Sequence, residues 1–111
     1  MNTEEYNGWT NRETWAAKLH LDNDQALNEY AYEYVREEIA NHDKGEEINA
    51  YYLGQTLKNW VEEDLLTLEN VAGNKGLWLM LTDIGSLYRV NWREIAQAYL
   101  DETAIEMENA L

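Results

Sequence analysis

A chain of 111 residues is the length of one domain, and a compact body of that size has a radius of gyration of about 13 Å. Twenty-two acidic against eight basic residues leave a net charge of −14, which repels nucleic acid and anionic membranes and attracts basic surfaces. There is no cysteine for a disulfide, thiolate metal site or nucleophile, no apolar run near the roughly 18 residues of a membrane span, and no apolar segment in the acidic start "MNTEEYNG", so a soluble cytoplasmic protein is expected.

Residues 1–9 read as an N-terminal arm. In "WTNRETW" (9–15), Thr10 looks like an N-cap and Glu13 stands three residues later, the spacing of a capping box. Trp15 and Leu19 follow at i, i+4, which predicts a first helix over about 11–21. Trp9 has only a threonine at position 14 for a hydrophobic staple. The second helix, about 24–42, carries the stripe Leu27, Tyr30, Ala31, Tyr34, Val35 and Ile39, with Asp22 or Asp24 as cap and Gly45 at its end. A third is predicted over about 46–66, with Ile48, Tyr52, Leu53, Leu57, Trp60, Val61 and Leu65 inward. Gly54 within it costs about 1 kcal/mol relative to alanine and permits close packing. "GNKG" at 73–76 reads as a turn.

The apolar segment at 77–88 is open between helix and strand. Leu77, Leu81, Ile84 and Tyr88 fit a helix, and β-branched residues are scarce there. A last helix is expected over about 91–109, started by Asn91 with Glu94 completing a second box, and with Trp92, Ile95, Ala96, Tyr99 and Leu100 inward. The expected fold is therefore all-α: a single small domain of four to five helices around a Trp/Tyr/Leu core. Oligomeric state stays open.

"NGWTNRETW" at one end and "VNWREIAQAYL" at the other, with an "HLDND" turn into an amphipathic helix after the first, resemble a family of small uncharacterised proteins found mainly in phages and plasmids. The words that match are Asn7, Gly8, Trp9, Asn11, Glu13, Thr14 and Trp15, then Val90, Asn91, Trp92, Glu94, Ile95 and Ala96. The resemblance spans Asn7 to about Leu100. It implies a mobile-element origin and an accessory role, and it carries over no catalytic residue.

Metal chemistry finds little support. "DND" at 22–24 resembles the start of a calcium loop, but the fifth position is Ala26, the sixth is Leu27 rather than glycine, and the twelfth is Glu33. A helix cap accounts for it. Glu38 and His42 are at i, i+4, which is not the Glu-x-x-His spacing of a di-iron bundle. No metal and no cofactor are expected. The single serine, Ser86, lacks a nucleophile-elbow sequence and would need His20 as base. No catalytic residue is expected; an enzyme would have to be built from Arg12, Glu13 and His20. Trp9, Arg12 and Trp15 form a candidate motif patch, for which helix initiation and core aromatics are the plainer account.

Direct nucleic-acid binding fails because the bases are dispersed among acids: Arg36 precedes Glu37 and Glu38, and Lys44 stands between Asp43 and Glu46, although Lys18 has no acid beside it. The acids themselves are patterned. Glu29, Glu33 and Glu37 recur every four residues; Glu94, Asp101 and Glu108 every seven; Glu62, Glu63, Asp64 and Glu69 cluster. Four helical residues advance about 6 Å, against one DNA charge per about 1.7 Å of axis, so adjacent acidic helices approximate a DNA-like field. Such surfaces also simply keep small proteins soluble. The expected function is a non-enzymatic accessory protein that binds a basic partner, such as a host nucleic-acid-binding or defence enzyme, through Glu29, Glu33, Glu37, Glu62, Glu63, Asp101 and Glu108. The alternative is a structural or assembly protein of a mobile element.

Overall fold

The computed structural model describes residues 5–41 and 49–110, with side chains to residue 104 in the last helix. Among the described residues there is no strand and there are six α-helices: α1 Arg12–Asn23, α2 Gln25–Ala40, α3 Ala50–Asn59, α4 Leu68–Gly73, α5 Lys75–Ile84 and α6 Trp92–Ala110. A π-helical turn, Trp60–Leu65, extends α3, and a 3-10 turn, Leu87–Arg89, precedes α6. The segment at 77–88 is thus helical through Ile84, and α4 is an additional short helix.

Short polar side chains set most of these boundaries by satisfying the free N–H groups of a first turn. The cap of α1 is Asn11, one residue later than expected: its Oδ1 accepts the Thr14 N–H at 2.9 Å. Asp24 ends α1 and starts α2, accepting the Leu27 N–H at 3.0 Å. Asn49 caps α3; the expected start at 46, with Gly45 and Ile48, lies outside the described residues. Asn74 ends α4 and caps α5, accepting the Leu77 N–H at 3.1 Å, so "GNKG" is a one-residue helix junction rather than a turn. Asn91 accepts the Glu94 N–H at 3.1 Å at the start of α6.

The arm contains a tight two-residue turn. Tyr6 and Trp9 exchange backbone hydrogen bonds of 2.8 Å, and Asn7 and Gly8 both have positive φ, 49° and 89°. That is the conformation Asn-Gly favours in a hairpin. It brings the Tyr6 ring to 4.9 Å from that of Trp15.

α3 and α6 make the central packing pair. A Cβ on Gly54 would lie 3.0 Å from Arg93 N and from the Trp92 carbonyl, so only glycine lets the two backbones approach this closely. The π turn has its own packing reason. Leu66 N–H donates to Val61 O at 2.8 Å, an i to i−5 bond, and this register buries Val61 and Leu66 on one side. The core is mainly Leu, Ala and Val, with Trp60, Trp92 and Tyr99 buried. Other expected core aromatics face out: Tyr30 is 55% exposed, Tyr52 64% and Tyr88 86%. The body is a slab, 42 × 39 × 23 Å, and its radius of gyration of 14.6 Å exceeds the compact expectation.

Candidate binding surface

On α2 the buried line is Leu27, Ala31 and Val35, and a second line at the same spacing, Glu29, Glu33 and Glu37, is exposed. Among the described residues no cation pairs with these three carboxylates; Gln25 Nε2 donates to Glu29 at 3.3 Å. Each i, i+4 pair of like charges costs the helix about 0.2–0.5 kcal/mol. Tyr30 and Tyr34 flank the row. Both rest on Trp60, with ring centroids at 6.5 and 5.3 Å. Tyr30, Glu33, Tyr34 and Glu37 together line a cavity of about 220 Å³. Aromatic faces with carboxylates at the rim attract a cationic head group.

Glu62 and Glu63 stand two and three residues after Trp60 in the π turn, so the aromatic contacts that hold α2 also tie it to the segment carrying these acids. Glu63 is exposed, while Glu62 is half-buried and its Oε2 is shielded without a hydrogen-bond partner. Asp101 is exposed on α6, accepts from Gln97 at 3.0 Å, and lines a different, shallower cavity with Trp9. Glu108 lies beyond the described side chains.

The motif residues build a joint. Asn11 Nδ2 donates to Arg89 O at 2.9 Å, and Asn91 N–H donates to Thr14 Oγ1 at 2.9 Å. Thr14 Oγ1 in turn donates to Asn11 Oδ1 at 2.7 Å, and Thr14 is fully buried. Glu94 reaches back not to its own cap but to Thr10 N–H, at 3.1 Å. Neither expected capping box therefore closes: Glu94 spans between the motifs, and Glu13 pairs with Arg89 at 3.4 Å. Trp9 and Trp15 are half-buried against the core. The two sequence words stitch the starts of α1 and α6 together, and the polar groups that carry them are consumed internally.

Of Arg12, Glu13 and His20, Arg12 and His20 meet at Asp83, whereas Glu13 turns to Arg89. Arg12 binds Asp83 twice, to Oδ1 at 2.6 Å and to the carbonyl at 2.7 Å, and His20 Nε2 meets Asp83 Oδ2 at 2.8 Å. The His20 hydrogen bond, opposed by partial burial and aided by Arg12, holds the Asp83 carboxyl below its usual range. His20 is bonded to Asp83 and not to Ser86. Lys18, without an acid beside it in sequence, is buried in a cluster: its Nζ binds Asp22 at 2.9 and 2.8 Å and Glu102 at 3.3 Å, and lies 4.6 Å from the Tyr99 ring centroid. Tyr32 Oη also donates to Glu102. The i, i+4 spacing of Lys18 and Asp22 was a visible signal for part of this cluster; Glu102 and Asp83 carried none.

Among the described residues no three His, Asp or Glu side chains gather within reach of one metal ion, and no helix is long and apolar enough to cross a membrane. The model of a family of unknown function (DUF7249) matches residues 2–109. No curated protein and no solved structure matches the chain.

Proposed function

We propose that this chain, which belongs to that family of unknown function, is a non-enzymatic, phage- or plasmid-type accessory protein. It binds a basic protein partner in the cytoplasm of the host through the acidic face centred on α2. The observation that carries this is the unpaired row Glu29, Glu33 and Glu37 beside the Tyr30–Tyr34 cavity. By contrast Asp22, Asp83 and Glu102 each hold a cation internally. A lysine or arginine of the partner entering between the two tyrosines would meet both aromatic faces and carboxylates. A partner evolved to hold DNA supplies such cations in a row, and the α2 face would occupy its groove.

The test is the double reversal Glu33→Lys with Glu37→Lys. Both sites are exposed, so the fold should be retained. Association with the partner should slow about tenfold at low salt, with a smaller difference at high salt. Equal association rates at both salt concentrations would refute the proposal.

A second reading, a structural or assembly protein, is favoured by one feature. Leu68, Trp78 and Leu79 on α4 and α5 are 88%, 52% and 45% exposed, more apolar surface than α5 needs for itself. Sedimentation of the full chain separates the readings, since assembly requires a concentration-dependent rise in mass.

A further inference from the structure

The cationic groups of this acidic protein are not all neutralised, and two that are not lie beside one cleft. Between α3 and the start of α6 is a cleft of about 280 Å³, lined among others by Tyr51, Gln55 and Lys58 from one ridge of α3 and by Tyr88, Asn91 and Arg93. Among the described residues Arg12, Lys18 and Arg89 are ion-paired, whereas Arg36, Lys58, Lys75 and Arg93 have no carboxylate partner; of these four only Lys58 and Arg93 line this cleft. In a chain with 22 acids and eight bases, the meeting of two such cations from separate elements at one opening is the feature to explain. Arg93 is the second residue of the 19-residue α6. There the positive end of the helix dipole opposes a cation, and an anion held between them relieves that conflict.

The other walls are aromatic. Tyr51 is 55% exposed and Tyr88 86%, which leaves ring faces open for stacking. Gln55 Nε2 donates to Tyr51 Oη at 3.3 Å and steadies that ring. Stacking faces next to cations are the chemistry that recognises a base bearing a phosphate.

We propose that this cleft binds a small planar anion of the nucleoside monophosphate class. At about 280 Å³ the cleft falls just below the usual range for small-molecule sites, which limits it to one nucleotide. Charge sets the same limit. At physiological ionic strength interactions are screened beyond roughly 8 Å, so a mononucleotide feels Lys58 and Arg93, while a longer strand would run over the acidic remainder of the surface.

The test is calorimetric titration of the full chain with each of the four ribonucleoside monophosphates, with inorganic phosphate, free nucleoside and a single-stranded decanucleotide as further arms. At least one monophosphate should bind, at least tenfold more tightly than phosphate or its nucleoside, and more tightly than the decanucleotide. Lys58→Gln with Arg93→Gln should weaken it at least tenfold, and Tyr51→Leu should weaken it while leaving the circular dichroism melt unchanged. Glu33→Lys with Glu37→Lys should leave it intact, which separates this site from the α2 face. No binding of any monophosphate, equal binding by the Lys58/Arg93 double variant, or tighter binding of the decanucleotide would overturn the proposal.

Discussion

Asp83 shows how much one side chain organises here. It receives Arg12 and His20 from α1 at 2.6 and 2.8 Å and so ties α1 to α5. Because its folded pKa is lowered, chiefly by His20, its contribution is complete above the ordinary carboxylate value of about 4. It is lost as pH falls through that value and below. The carboxylate is 39% exposed, so solvent screening keeps the contribution to about 1 kcal/mol or less. Asp83→Asn should lower stability at pH 7 by that amount and flatten the acid limb of the melting curve below about pH 4; an acid limb identical to that of the parent would contradict this. Tyr99 poses the opposite case. Its ring is fully buried under Lys18, and its hydroxyl has no hydrogen-bond partner. Burial, with the nearby charge of Asp22, raises its pKa so that the phenol stays neutral. A buried hydroxyl left unmet costs about 1–3 kcal/mol, so Tyr99→Phe should be neutral or stabilising by about 1 kcal/mol in urea denaturation. A loss above 1 kcal/mol would mean that the hydroxyl is satisfied after all.

Among the elements, α3 depends most on a single residue. Alanine at position 54 would gain about 1 kcal/mol of helix propensity. It would also place a methyl 3.0 Å from the backbone of Trp92 and Arg93, where overpacking costs about 1–3 kcal/mol. Gly54→Ala should therefore destabilise by about 1 kcal/mol, measured by chemical denaturation; a stabilised variant would show that α6 moves aside freely. The elements also show what local sequence reveals. Helix type and the buried stripes of α2 and α6 were legible because Leu27, Ala31 and Val35, or Trp92, Ile95, Ala96 and Tyr99, recur at helical spacing. The Asn7–Gly8 turn had a signal in its dipeptide that reading residues 1–9 as an arm left unused. The cap of α1 slipped by one because threonine and asparagine stand side by side and both cap. The bond from Glu94 to Thr10 was illegible, since it joins residues 84 apart in sequence. Tyrosines at stripe edges misled for a physical reason: an amphipathic ring serves as well at the rim as in the core.

At the scale of the molecule, the two proposed sites were unequally visible. The α2 row was legible because its spacing is local. The Lys58–Arg93 cleft was not, because only the packing of α3 on α6 brings those residues together. The motif words that carry the resemblance build the α1–α6 joint through Asn11, Thr14, Asn91 and Glu94. Under the proposed function, the net charge of −14 would act over the whole slab and govern encounter, whereas the α2 cavity would govern what is held.

The most direct measurement of the central claim couples the full chain, and separately the Glu33→Lys/Glu37→Lys variant, to a support, exposes both to host lysate and elutes with a salt gradient. We expect a basic protein retained by the parent chain, released as salt rises, and largely lost on the variant. The same proteins retained equally by both supports, or retention indifferent to salt, would contradict the account.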